Sequence, residues 1–467
     1  MAGIVSYSAY IPLWRLNLGL IHGGLTAEKA VAGFDEDSVT MAVAAGRNCL
    51  LETGPEAVDA LFFASTTCPY VERSNAVTVA GALDTPSDIA VFDMTNSVRS
   101  GASSLKLAMD MVNSGSARNV LVTASDTRLG KPGSGPERTL GEGAAAFLVG
   151  GSGESVRIEG SCTVYDGIMD SWRTENDKFV RSGDKRFIAT HGYLTVTGKA
   201  VAKLMEKSGL APKDFARVIF AVPDARRQVE LARKLGFNPE KQLQGSLMAD
   251  IGDTGTAYPL ILLTAALEEA NAGDRILMAA YGNGCDAFIF NVTSGADPNK
   301  GKKTLKTYAD SKTVIDSYHT YLKWKNIIPW DRLPFPLGSV STTSQWRESD
   351  QMLRFYGSKC KTCGTVCHPR QRVCPNCHGK DNWDDIRLSD KKAKLFSFSV
   401  DQMANQITSP VINGVLDFDG GGRILCYLTD VDPDDIKIGM DIEMSFRKMA
   451  FREGIHIYCW KGIPPRG

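Results

Sequence analysis

The chain has 467 residues, more than a single hydrophobic core accommodates, so about two to four domains are expected. Lys+Arg and Asp+Glu are equal at 53 each, which removes the electrostatic case for a nucleic acid or an anionic membrane as partner. The start, MAGIVSYSAYIPLWRL, lacks the basic head and long apolar core of a signal peptide, and no apolar run reaches the ~18 residues of a membrane span. A cytoplasmic protein is the resulting expectation.

In chain order, short apolar and β-branched runs alternate with helical patterns up to residue 295. The predicted strands are 60–64, 89–93, 119–124, 144–149, 156–160, 218–222, 275–280 and 287–292. The predicted helices are 36–52, 101–114, 194–208, 224–235 and 257–271. Strands separated by helices require crossover connections and a layered α/β architecture.

A faint internal repeat organises this region. In the first half, a helix leads into SGSARNVLVTAS and then GEGAAAFLV; in the second, a helix leads into NAGDRILMAAY and then GNGCDAFIF. Each copy reads helix, glycine turn with an arginine, apolar strand, Gly-x-Gly, strand. Two pseudo-repeated halves are therefore expected, with domains at 1–152 and 153–295.

From 296 to 350 the pattern breaks into a Gly/Lys-rich stretch, a predicted helix at 314–324, and NIIPWDRLPFPLGSVSTTSQ, whose prolines forbid long regular structure. This segment is expected to be a linker, held on a surface by Trp324, Trp330 and Phe335.

The next stretch, CKTCGTVCHPRQRVCPNC, places Cys360 and Cys363 in one C-x-x-C and Cys374 and Cys377 in a second, ten residues on. Two such knuckles bring four thiolates to the corners of a tetrahedron around Zn²⁺. Four thiolates leave no open coordination position, so the zinc is expected to be structural. Cys367, His368 and His378 are then bystanders. The ribbon is expected over 351–385. Five short predicted strands follow at 393–400, 412–417, 423–431, 441–449 and 456–461, which suits a small barrel of OB type over 386–467. Ribbons and OB barrels often serve nucleic acids, so an RNA or DNA adaptor is one alternative. Residues 386–467 nevertheless hold eleven basic and eleven acidic residues, without a basic footprint.

The segments FASTTCPYVERSNAVTVAGAL, DMTNSVRSGASSLKLAMD, LGEGAAAFLVG, DSWRTENDKFVRSGDKRF, VIFAVPDARR, IGDTGTAYPLILLTAALEEANAGDRIL and YGNGCDAFIF resemble the thiolase superfamily, and within it the hydroxymethylglutaryl-CoA synthase branch. The C-terminal part looks like the rubredoxin-like zinc ribbon plus OB module associated with acyl-CoA thiolases. The resemblance implies a five-layered α-β-α-β-α fold, dimerisation through the first halves, a CoA thioester as substrate, and Claisen chemistry on a cysteine at a buried helix N-terminus.

The sequence departs from that pattern where the chemistry would sit. The nucleophile position aligns with Val98, the histidine position with Ala221 in Phe220-Ala221-Val222-Pro223, the glutamate position with Thr66, and an asparagine position with Asp253. Valine forms no thioester and alanine accepts no proton. No residue is therefore assigned a catalytic role. The expectation is a non-catalytic, zinc-binding pseudo-thiolase in a hetero-oligomer with a separate catalytic thiolase subunit, itself homodimeric through its core. The alternative is a self-sufficient acyltransferase that uses Cys68 or Cys285, with His191 as a lone candidate base.

Overall fold

The computed structural model describes residues 2–222, 224–293, 301–330, 339–404, 407–408 and 410–466. It divides into two compact units. The first takes in Met1–Ala32, Asp37–Ala80 and Thr85–Tyr318; the second takes in Gly33–Glu36, Gly81–Asp84 and His319–Gly467. Expected landmarks at Pro223, Phe335 and the start of the linker lie outside the described residues.

In the first unit the strands run, in chain order, β1 (Gly3–Tyr10), β2 (Trp14–Asn17), β3 (Glu28–Val31), β4 (Ala60–Ala64), β5 (Ala90–Met94), β6 (Asn119–Asp126), β7 (Gly143–Gly150), β8 (Val156–Tyr165), β9 (Ser171–Trp172), β10 (Arg181–Ser182), β11 (Arg217–Ala221), β12 (Arg275–Tyr281), β13 (Gly284–Val292) and β14 (Thr313–Ile315). The main helices are α1 (Ser38–Cys49), α2 (Ala76–Leu83), α3 (Ser100–Ser114), α4 (Gly198–Ser208), α5 (Ala225–Lys234), α6 (Tyr258–Glu268) and α7 (Leu305–Asp310).

The repeat anticipated from the sequence is present in the strand order. The first half pairs β1-β7-β6-β4-β5 and the second β8-β13-β12-β11. In both, the first two pairings are antiparallel and the third is parallel. The fifth strand of the second half has shrunk to one parallel bridge, Val218 with Leu243. The two half-sheets join edge to edge where Gly3 and Ile4 of β1 meet Arg157 and Val156 of β8. Helix α1 packs on β1, β6 and β7, and α4 packs on β8 and β13. Between the sheets lie α3, against β4, β6 and β7, and α6, against β1, β7, β11 and β12. Ten of the eleven residues of α6 are buried, as a helix covered on every side requires.

Several expectations need correction. No strand was expected in the first 35 residues, yet β1 is the strand that joins the two halves. Its alternation is masked because seven of its eight residues are buried, so the period of two that marks a half-exposed strand is absent. Helix α2 was also unanticipated. The helix expected at 314–324 begins only at Tyr318; Val314 and Ile315 extend instead and pair with Arg15 and Leu16 of β2. The helix expected at 194–208 is α-helical from Gly198, after a π-helical run, Ile188–Thr197.

In the second unit, β15 (Tyr356–Cys360) pairs with β16 (Val366–Cys367) and β17 (Trp383–Arg387). Strands β18 (Ala393–Asp401), β19 (Val411–Phe418), β20 (Arg423–Leu428), β21 (Asp441–Arg452) and β22 (Ile455–Ile463) close a barrel in the order β18-β19-β20-β22-β21. These five are the expected strands, each within a few residues. Leu395, Leu416, Ile442 and Met444 are buried and supply its apolar core. A buried ion network also belongs to this unit: Arg447 meets Asp35, Glu36 and Asp430, and Lys461 meets Asp35 at 2.8 Å. Burial would raise the Asp35 carboxyl, but Lys461 and Arg447 outweigh it and hold it below the ordinary carboxylate range. Among the described residues no helix is long and apolar enough to cross a membrane.

Helices α3 and α6 approach so closely at Gly101 that an added Cβ would lie 2.4 Å from the carbonyl oxygen of Thr256. Gly101→Ala is therefore expected to destabilise the first unit by about 1–3 kcal/mol, as overpacking does. Urea denaturation followed by near-ultraviolet circular dichroism checks this.

Candidate functional site

A pocket of about 400 Å³ opens beside the N-terminus of α3. Its walls include Thr66, Cys68, Val98, Arg128, Trp172 and Asn283. Val98 reaches this wall because the chain turns sharply before α3, with Asn96 at a positive φ of 72°. The opposite turn is Gly282-Asn283. A Cβ on Gly282 would stand 2.7 Å from Cγ2 of Val98, so only glycine permits this approach. Arg99 ties the two turns together: its Nε donates to the Gly282 carbonyl at 3.0 Å and its Nη1 to Asp286 at 2.9 Å. Ser103 and Thr163 donate to the same carboxylate.

Of the remaining positions, Thr66 and Asp253 are held in hydrogen-bonded arrangements. Thr66 donates from its backbone N–H and its hydroxyl to Oδ1 of Asp126, at 2.7 and 3.0 Å. Asp253 accepts from Nη1 of Arg128 at 3.2 Å and from the Gly255 amide at 2.9 Å. Ala221 closes β11 opposite Ala280, buried, and is not among the residues that line the pocket. The hairpin of β9 and β10 covers one side, and Arg173 in its loop donates to the Thr66 carbonyl at 2.7 Å.

Three reactive candidates from the sequence are separated by the fold. Cys68 does line the pocket, but burial, with the Asp93 and Asp126 carboxylates nearby, pushes its thiol up to about 12. Cys285 is fully buried among Leu204, Phe220 and Ile289, and burial together with Asp286 raises its thiol further still. His191 is exposed in the π-helical run, its ring 4.8 Å from that of Phe187. None therefore joins a nucleophile–base pair. Sequence reasoning did not assign Arg128, Arg173 or the β9–β10 hairpin to this pocket: the segment 170–187 carries part of the resemblance, but its place on the pocket depends on distant contacts.

In the second unit, the Sγ atoms of Cys360, Cys363, Cys374 and Cys377 all lie within 4.8 Å of one another. Cys360 and Cys377 stand 3.6 Å apart, and Cys363 and Cys374 3.5 Å. A tetrahedron of sulfurs around zinc has edges of about 3.8 Å. The knuckle backbones are shaped for this by the Gly364 amide donating to the Cys360 carbonyl and the His378 amide donating to the Cys374 carbonyl. Thr365 hydrogen-bonds Cys363 and holds that thiol down to about 6. Cys367, His368 and His378 are outside the cluster; the His368 ring packs tilted against Phe355, with ring centres 4.8 Å apart.

Comparison with known proteins agrees with this division. Residues 205–291 match the family described as 3-oxoacyl-[acyl-carrier-protein] synthase III C terminal. Residues 353–384 match the ChsH2 rubredoxin-like zinc ribbon domain, and residues 386–447 the ChsH2 C-terminal OB-fold domain. The hydroxymethylglutaryl-CoA synthase of Pyrococcus furiosus is 33% identical over 335 residues, 69% of this chain and 95% of the relative. That of Methanocaldococcus jannaschii is 33% identical over 345 residues, 70% of this chain and 99% of the relative. Among solved structures, an HMG-CoA synthase complexed with CoA superposes with a TM-score of 0.62 at 21% identity, over 69% of this chain and 89% of that one.

The position of Cys68 sets a reactivity ordering. At pH 8 a thiol raised to about 12 should alkylate about three orders of magnitude more slowly than a free cysteine, roughly in proportion to its thiolate fraction. A cysteine introduced as Val98→Cys, beside the α3 N-terminus and Arg99, should react at least about tenfold faster than Cys68. Peptide mapping after iodoacetamide treatment measures both.

Proposed function

The chain belongs to the hydroxymethylglutaryl-CoA synthase family, and we propose that it is a member without catalysis of its own, acting as the zinc-carrying subunit of a complex with a catalytic thiolase. The complex forms or cleaves the carbon–carbon bond β to a CoA thioester. One observation carries this reading: Val98 and Thr66 on the pocket wall, and Ala221 and Asp253 outside its lining, stand at the four positions where the family resemblance places nucleophile, acid, base and asparagine. Covalent acyl transfer needs a thiolate to attack the thioester carbonyl and a base to carry the proton. Val98 provides no attacking atom. The raised thiol of Cys68, with two carboxylates near it, disfavours the alternative of a self-sufficient enzyme.

The role left for this chain is to bind, shape and enclose. Strand β5 is the outermost strand of the first half-sheet, and Phe92 on it is 45% exposed. Val77 of α2 and Leu107 of α3 are also exposed apolar residues of the same half. An unpaired strand edge with apolar side chains seeks a pairing partner. A second thiolase-like chain, a copy of this one or the catalytic subunit, is the occupant this reading assigns to it.

Cys360, Cys363, Cys374 and Cys377 would hold one zinc ion, whose chemistry there is to crosslink the two knuckles. The sulfur spacing and the backbone turns fit that ion. With four thiolates as ligands, no site remains for water or substrate.

The chain purified alone should show no acyl-CoA-dependent turnover and no acylated cysteine after incubation with a radiolabelled acyl-CoA. Co-expression with a catalytic thiolase partner should yield a complex with turnover, and Val98→Ala should leave that turnover unchanged. Turnover by the lone chain rejects the proposal. Phe92→Asp should prevent assembly, as read by size-exclusion chromatography.

Metal analysis should find about one zinc per chain. Cys360→Ser should lose it and unfold the ribbon, since metal binding there is folding energy. Retention of full metal content by that variant would remove Cys360 from the ligand set.

A further inference from the structure

The ribbon strands have a metal-ligand end and a far end. Strand β15 closes on Cys360, one of the four cysteines of the cluster, and pairs with β17 along its whole length, with Cys360 opposite Trp383 and Tyr356 opposite Arg387. The second unit also contains Gly81–Asp84, which is the last turn of α2 and the residue after it. The far end of the strand pair grips that segment. The Tyr356 hydroxyl donates to Oδ2 of Asp84 at 2.7 Å, Nη1 of Arg354 donates to Oδ1, and Nε of Arg387 lies 3.8 Å from Oδ2. Nη2 of Arg387 also donates to the Ala82 carbonyl at 2.9 Å, one of the carbonyls that a helix end leaves without an intrahelical partner. The Asp84 side chain is 12% exposed, and among the described residues its ion pairs are with Arg354 and Arg387.

Asp84 is poorly suited to its place without these partners. Its backbone is left-handed, with a φ of 63°, a conformation that a Cβ disfavours. Its negative charge stands at the C-terminal end of a helix, where the dipole already places negative charge. Helix α2 has eight residues, too few to persist without tertiary contacts. Two guanidinium groups and a phenol offset these costs, so the last turn of α2 depends on β15 and β17 standing side by side. A ribbon this small has little apolar core to keep them so, and metal binding supplies the folding energy. At its other end α2 reaches the pocket. Asn75, just before the helix, accepts from the Tyr70 amide and donates to the Tyr70 carbonyl, both at 3.0 Å. Tyr70 and Cys68 line the pocket at Val98.

We propose that the zinc centre is a conformational clamp: zinc holds the β15–β17 pair, the pair holds Asp84, and α2 carries that restraint to the Cys68–Tyr70 wall of the pocket. The inference rests on the zinc reading given above. The element with two states is the last turn of α2, capped while the ribbon is folded and frayed when it is not. Zinc, which touches no substrate, thereby sets the order of the wall.

The test uses the full chain, expressed with added zinc, and reads amide hydrogen exchange, Cys68 alkylation by peptide mapping, and metal content. Removing zinc, with EDTA or by Cys360→Ser, should raise exchange in α2 by about tenfold or more, the worth of losing a hydrogen bond to a charged group. Cys68 alkylation should rise with it, while α5 in the second half keeps its protection. Asp84→Gly removes the carboxylate yet favours the left-handed turn. That variant should keep about one zinc per chain, exchange in α2 as the stripped wild type does, and respond little to EDTA. Zinc bound but α2 indifferent to its removal overturns this inference alone. So does exchange that rises equally in α5, or full protection of α2 in Asp84→Gly. A chain purified without zinc overturns the metal reading and this inference together.

Discussion

Two helix N-termini meet in the middle of this protein at a distance that leaves no room for a side chain. Gly101 on α3 sits against the Thr256 carbonyl just ahead of α6, and the two half-sheets pack around that junction. The contact explains why α6 is apolar on all sides and why the connecting turns are rich in glycine. It also places the turn before α3 opposite the turn at Gly282, which creates the pocket at Val98. Arg99 and Asp286 then clamp the two turns across the halves. The pocket is thus a by-product of how the halves join and survives whatever side chains line it.

That independence makes a silent site physically reasonable. Chemistry at such a helix tip needs few atoms: a sulfur, a base, and donors for a developing oxyanion. On the proposed reading, valine, threonine and alanine stand in place of those atoms. Asp253 carries a charge, and Arg128 answers it at 3.2 Å, so the carboxylate is neutralised locally within a largely buried pair.

The same logic separates the zinc ribbon from the pocket. Four sulfurs at close range without an ion would repel as thiolates, and a ribbon this small has little apolar core of its own. A metal centre is the means by which such a segment holds its shape. The barrel beyond it carries a core of its own, in which Leu395, Leu416 and Ile442 are almost fully buried.

The sequence by itself determined what is local. Ligand spacing names the four cysteines, because a knuckle is closed by cysteines three positions apart. Alternation and turn residues name the barrel strands and most strands of the first unit, and the identity of residue 98 is plain as soon as its turn is recognised. Only the tertiary structure decided what depends on distant partners. Strand β1 is invisible locally because it is buried on both faces, and its place is set by pairing with Gly150 and Arg157. Cys68 and Cys285 look alike in sequence; the fold puts one on the pocket wall and the other inside an apolar core. The unpartnered, buried Oε1 of Gln244 carries no sequence signal at all. Whether a polar atom lacks a partner is a property of everything around it, and that is settled only when the chain has closed.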